Sequence, residues 1–263
     1  MSNKLSQRTP SKKVGSLTGI KAISFDLDDT LWPLMPTVMD AEKAQWQWLS
    51  SNYPHLAEHL TPQRADELRE QLLQEGSAQL ADVSWARQEL LRRLAASAGL
   101  ESPESEQLVT EAFKVFLQQR CAVLPFDDAL QVLPRLAENF RLVAITNGNA
   151  DVFSTALGEL FEFSLSPTTM GVAKPDAVIF NEALEQLGLP AAQVLHVGDS
   201  VKHDVVGASA VGMRTALMLH NEVDSEANGH YQNTGKNAAL FEDEEHGADA
   251  VVRSLHELEL LLV

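Results

Sequence analysis

Four short, largely apolar runs, at residues 22–25, 142–145, 194–197 and 215–219, constrain the fold of this chain more than any other feature. A run of four or five residues with no polar alternation reads as a strand buried on both faces, the kind found in parallel sheets. Helical patterns separate the later runs, which predicts successive βαβ units. Residues 248–263 return to a final short strand and a helix.

Three of these runs end in residues that carry chemistry. The first ends in Asp26-Leu27-Asp28-Asp29-Thr30. Side chains alternate along a strand, so Asp26 and Asp28 share a side while the chain stays extended. Two carboxylates held close repel unless a cation or a shared proton relieves them, and an oxygen-rich cluster suits a divalent metal. The second run ends in Thr146-Asn147-Gly148, where a hydroxyl and backbone N–H groups can hold a phosphate oxygen and glycine permits close approach. The third ends in Gly198-Asp199, with Asp204 five residues further on. That edge, beyond the carboxyl ends of the strands, is where open α/β sheets bind ligands. Between the second and third runs stands Gly171-Val172-Ala173-Lys174-Pro175-Asp176, followed by apolar residues at helical spacing up to Gly188. The spacing predicts a helix with Pro175 at its first position and Gly188 at its stop, and places Lys174 at an anion-favouring N-terminus.

In this order, Asp26-x-Asp28-x-Thr30, Thr146, Lys174 and Gly198-Asp199 with Asp204 resemble the four motifs of the haloacid dehalogenase (HAD) superfamily. The resemblance covers about residues 20–33, 124–220 and 248–263. It implies an α/β fold, a Rossmann-like parallel sheet of order 5-4-1-2-3 with the first strand central and all four motifs at its carboxyl edge. Residues 34–123 interrupt the alternation and read as about four helices, with Thr61-Pro62 and Ser102-Pro103 as cap and first-position pairs. Their place between the first two motifs matches the family's inserted all-helical cap of the C1 type. The domain reading is therefore a core over 20–33 and 124–263 with a cap over 34–123.

The rest of the composition bounds the setting. Residues 1–19 carry Lys4, Arg8, Lys12 and Lys13, no acids and no apolar stretch, and read as a disordered tail and not a signal peptide. Residues 221–247, with the charge run Glu242-Asp243-Glu244-Glu245, read as a mobile acidic loop. No apolar stretch approaches the ~20 residues of a membrane span, and the single Cys121 allows no intrachain disulfide. A cytoplasmic protein with no membrane partner is expected. The net charge of −17 argues against nucleic acid, which demands basic surface, but not against a small phosphorylated metabolite held by a few local donors and a metal. The oligomeric state is left open.

The resemblance also implies roles. Asp26 is the nucleophile that forms an aspartyl-phosphate, and Asp28 is the acid for the leaving oxygen and then the base for water. Mg²⁺ is held by Asp26, the Asp28 backbone carbonyl and Asp199, while Thr146, the Asn147 N–H and Lys174 hold the phosphate oxygens. Asp204 supports the metal side or holds Lys174. The family's dehalogenases lack an acid at the Asp28 position, because halide leaves without a proton, so Asp28 and Asp199 point to phosphate chemistry. Lys43 and Lys114 read as exposed cap residues, which argues against a Schiff-base branch. A phosphomutase and a catalytically silent binding protein stay open beside a phosphomonoester hydrolase. The blocks around Phe25–Leu31, Val143–Ala150 and Leu195–Asp199 look similar to bacterial members acting on flavin mononucleotide and on 5-amino-6-(5-phospho-D-ribitylamino)uracil, a precursor in riboflavin biosynthesis. In the cap, Trp85 reads as core packing and Arg87 as solvated, against stacking and pairing roles toward such a substrate. His203, inside the fourth motif, reads as a helix-surface residue before a substrate contact, His196 as a hydrogen-bonded core histidine, and Trp32 as packing at the cleft border.

Overall fold

The computed structural model describes residues 17–220 and 246–262. Six parallel strands form one sheet in the order β3-β2-β1-β4-β5-β6: β1 (Ala22–Phe25), β2 (Arg141–Ile145), β3 (Ser164–Leu165), β4 (Val194–Gly198), β5 (Arg214–Met218) and β6 (Ala250–Val252). The five strands β5-β4-β1-β2-β3 reproduce the expected order with β1 central, and β6 extends it beyond β5. β3 has only two residues and left no apolar run to read.

Between β1 and β2 lie five α-helices: α1 (Leu34–Asn52), α2 (Pro62–Glu75), α3 (Val83–Ser97), α4 (Glu104–Arg120) and α5 (Asp127–Ala137). After β3 come α6 (Pro167–Met170), α7 (Ala177–Leu187), α8 (Gly207–Ala210) and, last, α9 (Leu255–Leu262). Alternation along the strands sorts the core. Ile23, Phe25, Leu142, Leu195 and Val197 face one way and pack with Leu133 and Leu136 of α5 and Leu255 and Leu258 of α9. Ala22, Val143, Ile145 and Val194 face the other way, onto Ile179, Phe180 and Ala183 of α7. Each buried leucine or phenylalanine here contributes about 1.5–3 kcal/mol relative to exposure.

Helices α1–α4 have a separate core built on Leu49, Leu68, Leu91, Leu94 and Leu108, and form the all-helical cap. Gln45 of α1 donates to the Ala112 carbonyl of α4 (3.0 Å), locking the two long cap helices together. Two connections join cap to sheet, one on each side of the helical insert. They are tied to each other by the Phe126 N–H donating to the Leu31 carbonyl (2.9 Å).

Several local expectations need correction. Leu17, within the N-terminal tail expected over 1–19, is buried in the sheet core; residues 1–16 of that expected tail lie outside the described residues, as do 221–245 of the expected acidic loop. Thr61 caps α2, its hydroxyl accepting from the Arg64 N–H, but Ser102 does not cap α4. That helix begins at Glu104, where Glu104 and Glu106 complement the positive end of its dipole. Likewise α7 starts at Ala177, not Pro175. The Asp176 carboxylate accepts from the Val178 N–H and takes the cap position, while Gly188 closes the helix in the left-handed region. Among the described residues no helix is long and apolar enough to cross a membrane.

Candidate active site

The carboxyl edge of β1, β2 and β4 opens into a cavity of about 490 Å³, floored by the sheet and roofed by the cap. Asp26 continues the register of β1, its N–H donating to the Val197 carbonyl (2.8 Å). The chain then turns sharply. Asp29 sits at φ 55°, a left-handed conformation that aspartate tolerates better than most residues. Its N–H donates to the Trp32 carbonyl (2.7 Å) and its carboxylate accepts from the Leu34 N–H (2.9 Å). This turn brings the Trp32 indole back to donate to Asp28 Oδ1 (2.9 Å). Asp26 and Asp28 both line the cavity.

Lys174 is the charged centre of the floor and is almost fully buried. Its Nζ lies 2.6 Å from Asp204 Oδ1 and 2.9 Å from Asp26 Oδ1. The Asn147 side chain positions it, donating to the Lys174 carbonyl (3.0 Å) and accepting from the Lys174 N–H (2.8 Å). Thr146 is buried beside it, and its hydroxyl oxygen accepts from the Gly148 N–H (2.9 Å), leaving the hydroxyl proton to donate. Lys174 thus stands ahead of α7 on an amide clamp, not at the helix N-terminus.

Asp204 is committed to structure. Oδ1 takes Lys174 and His196 Nε2 (3.1 Å), and Oδ2 accepts from the Ser200 N–H (2.9 Å). It sits in a one-turn π-helical segment, Val201–Val206, a widening often found at functional sites. Gly198 makes this possible: a Cβ there would fall 2.3 Å from the Asp204 carboxyl carbon. His196 is a fully buried, hydrogen-bonded strand residue, linked through Nδ1 to Ser24 Oγ on β1 (2.8 Å).

Asp26, Asp199 and Asp204 can each offer one oxygen within 4.8 Å of the others. With Asp204 engaged by Lys174, Asp26 and Asp199 fit the small, carboxylate-poor donor set that Mg²⁺ prefers. The Asp28 carboxylate is turned to Trp32 and Arg120, which leaves only its backbone carbonyl for a metal. The electrostatics favour a cation. Burial pushes the Asp26 carboxyl up to about 7, against the pull of Lys174 and with Asp204 and Asp28 adding to the rise. Burial, then Asp26 and Asp204, push Asp199 well above the usual carboxylate range. Burial works against Asp204 ionising too, but Lys174 and His196 hold it below that range.

These shifts have opposite consequences for stability. Asp26 keeps a proton in the folded state up to about pH 7 but ionises near 3.8 when unfolded, so metal-free protein loses stability as pH rises through that window. Asp204, shifted down, contributes stability above 3.8 that is lost only in more acid solution. In EDTA, Tm is therefore expected to fall from pH 5 to pH 8 less steeply in Asp26→Asn than in the native chain. Mg²⁺, which competes with the proton, is expected to raise Tm more at pH 8 than at pH 5. An increment independent of pH would place the metal elsewhere.

The roof holds what the sequence reading missed. Arg120, the last residue of α4, is fully buried and donates through Nη2 to both oxygens of Asp28. Arg87 is not solvated: its guanidinium lies 3.7 Å over the Phe116 ring, pairs with Glu42 (2.9 Å) and lines the cavity. Val83 and Arg87, one turn apart on α3, share the cavity face, whereas Trp85 between them is half-buried and does not line it. His203, half-buried on the Val201–Val206 segment, also lines the cavity. Trp32 is both fully buried and bonded to Asp28, and Lys43 and Lys114 are exposed.

Known proteins share the sequence pattern and the fold. A haloacid dehalogenase-like hydrolase family model matches residues 20–212, and a second, HAD-hydrolase-like, matches residues 171–258. The chain is 31% identical over 195 residues to the Escherichia coli 5-amino-6-(5-phospho-D-ribitylamino)uracil phosphatase YigB, covering 74% of this chain and 82% of that protein. It is 30% identical to a Methanopyrus kandleri glyceraldehyde 3-phosphate phosphatase, again over 74% and 82% of the two chains. A crystal structure described as a 2-haloacid dehalogenase from Pseudomonas syringae superposes with a TM-score of 0.75 at 34% identity, covering 92% and 97%. With a family model matching most of its length and a parallel sheet under a helical cap, the chain belongs to the haloacid dehalogenase-like hydrolase family.

Proposed function

We propose that this enzyme is a Mg²⁺-dependent phosphomonoesterase that works through an aspartyl-phosphate on Asp26. The observation that carries this reading is the pairing of Asp26 with a second cavity acid, Asp28, over a floor that holds Lys174, Thr146 and Asp199. Asp26 attacks phosphorus as the ester P–O bond breaks, and Asp28 gives a proton to the departing oxygen. Asp28 then takes a proton from the water that cleaves the Asp26–phosphorus bond. Lys174 and the Thr146 hydroxyl donate to the phosphoryl oxygens, where charge spreads in the transition state. Asn147 acts through Lys174 as well as through its own N–H. When bound by Asp26, Asp199 and the Asp28 carbonyl, Mg²⁺ supplies charge neutralisation that lets two anions meet.

Asp28 favours phosphate ester over haloacid chemistry: an ester oxygen needs a proton to leave and a halide does not. A cavity of about 490 Å³ suits a small metabolite, and the named relatives support sugar- or polyol-phosphate substrates, the ribitylamino-uracil phosphate first among them. Arg87, stacked on Phe116, gives the roof a cation for such a group.

The test is phosphate release across a panel holding that riboflavin precursor, flavin mononucleotide, sugar phosphates, nucleotides and a 2-haloacid, in Mg²⁺ and in EDTA. The precursor is expected to show the highest kcat/KM, with no halide released. Asp199→Ala is expected to raise the Mg²⁺ concentration for half-maximal rate at least tenfold. An unchanged titration would remove Asp199 as a ligand, isomerised product without free phosphate would favour a mutase, and halide release would overturn the reading.

A further inference from the structure

The surroundings of Asp28 go beyond what an acid–base group requires. Arg120 Nη2 reaches both carboxylate oxygens, and the Trp32 indole takes a second bond to Oδ1. Oδ1 therefore receives two donors and Oδ2 only one, so Oδ2 keeps the free lone-pair capacity that a travelling proton needs. Gly148 presses on that same oxygen: a Cβ at position 148 would stand 2.2 Å from Asp28 Oδ2 and 3.3 Å from Arg120 Nη2. Asp28 is boxed from three elements, the first linker, the end of α4 and the turn after β2.

Arg120 is costly to keep there. It is fully buried, and its Nη1 finds no hydrogen-bond partner among the described residues. A buried ion pair of this kind is often no more stabilising than apolar residues of similar volume, so packing alone does not account for it. It also belongs to the cap, 92 positions from Asp28, next to the connection that Phe126 ties to Leu31.

We propose that Arg120 is a positioning residue for the acid–base step. It holds the Asp28 carboxylate with Oδ2 toward the reacting oxygen, and so makes proton transfer depend on the seat of the cap. This rests on Asp28 being the acid–base group. In the step concerned, an Asp26 oxygen bonds to phosphorus, the ester P–O bond breaks, and the proton on Asp28 Oδ2 passes to the departing alkoxide. A second proton enters Oδ2 from the water that hydrolyses the Asp26 phosphate. Arg120 exchanges no proton.

The experiment compares kcat/KM, which reports the steps through departure of the leaving group, for β-glycerophosphate and p-nitrophenyl phosphate in Mg²⁺. An alkoxide leaves only with a proton, whereas p-nitrophenoxide leaves almost without one. Asp28→Asn and Arg120→Met are both expected to lose at least tenfold more on β-glycerophosphate than on p-nitrophenyl phosphate. Arg120→Met leaves Asp28 without its cation and is expected to lower the urea midpoint, a loss common to both substrates, and Arg120→Lys, which keeps a cation, is expected to lie between native and Arg120→Met in midpoint and in substrate selectivity. In the double variant Arg120→Met is expected to add nothing to Asp28→Asn. Equal losses on both substrates for Arg120→Met, with Asp28→Asn still selective, overturn the proposal and leave Asp28 in its role. Equal losses for Asp28→Asn overturn both. If Arg120→Met does not fold, Arg120→Lys carries the same comparison, and equal losses there are equally fatal.

Discussion

Asp26→Asn is expected to abolish turnover, by a factor on the order of 10⁴ or more, while the protein stays folded. The amide has the shape of the carboxylate but cannot attack phosphorus to form an acyl phosphate. Its effect on stability is small or favourable above pH 7. Asp26 ionises reluctantly, its carboxyl held up to about 7 chiefly by burial, and the neutral amide removes one of the charges crowding Asp204 and Asp199. Lys174 keeps its 2.6 Å partner in Asp204, so the floor stays paired. Urea unfolding and steady-state kinetics on one preparation separate the two effects. Native-like turnover in Asp26→Asn removes Asp26 as the nucleophile.

Lys174→Met is expected to cost both activity and stability. Burial opposes the charge on Lys174, but Asp204 and Asp26 hold its pKa above the ordinary lysine range. Deleting the ammonium leaves two buried acids facing each other with no cation, a loss of about 3–5 kcal/mol for a broken buried pair. The sign with pH follows. Without Lys174 both acids bind protons more tightly in the folded state than in the unfolded one, so the destabilisation is larger at pH 8 than at pH 5. Turnover is expected to fall by about 10²–10³ if the proposed donor to the phosphoryl oxygens is lost. Urea midpoints at the two pH values check this, and a loss independent of pH would mean that Lys174 does not neutralise these acids.

Much of the site was legible because strand ends announce it. An apolar run has one carboxyl end, and residues placed there are held at the sheet edge whatever the loop beyond them does. Asp26, Thr146 and Asp199 fall in that class. Lys174 was legible only through motif order: its local context suggested a helix N-terminus, and the clamp from Asn147 is a contact across 27 positions that no local pattern encodes. Arg120 was not legible at all. An arginine closing a helix ordinarily complements the C-terminal dipole from solvent, and nothing near residue 120 says that it is buried against Asp28. Arg87 misled for a related reason. Its helix has apolar residues enough to fill the cap core, and only the neighbouring Phe116 and Glu42 turn its guanidinium into the cavity. β3 escaped because two residues carry no period.

The most direct test of the account is to quench the enzyme in acid during turnover with Mg²⁺ and a phosphomonoester, and to weigh its peptides. The account predicts a phosphoryl group on the peptide carrying Asp26, lost on treatment with base and absent in Asp26→Asn. Steady phosphate release with that peptide unmodified at every quench time, or with the phosphoryl group on another residue, would contradict it.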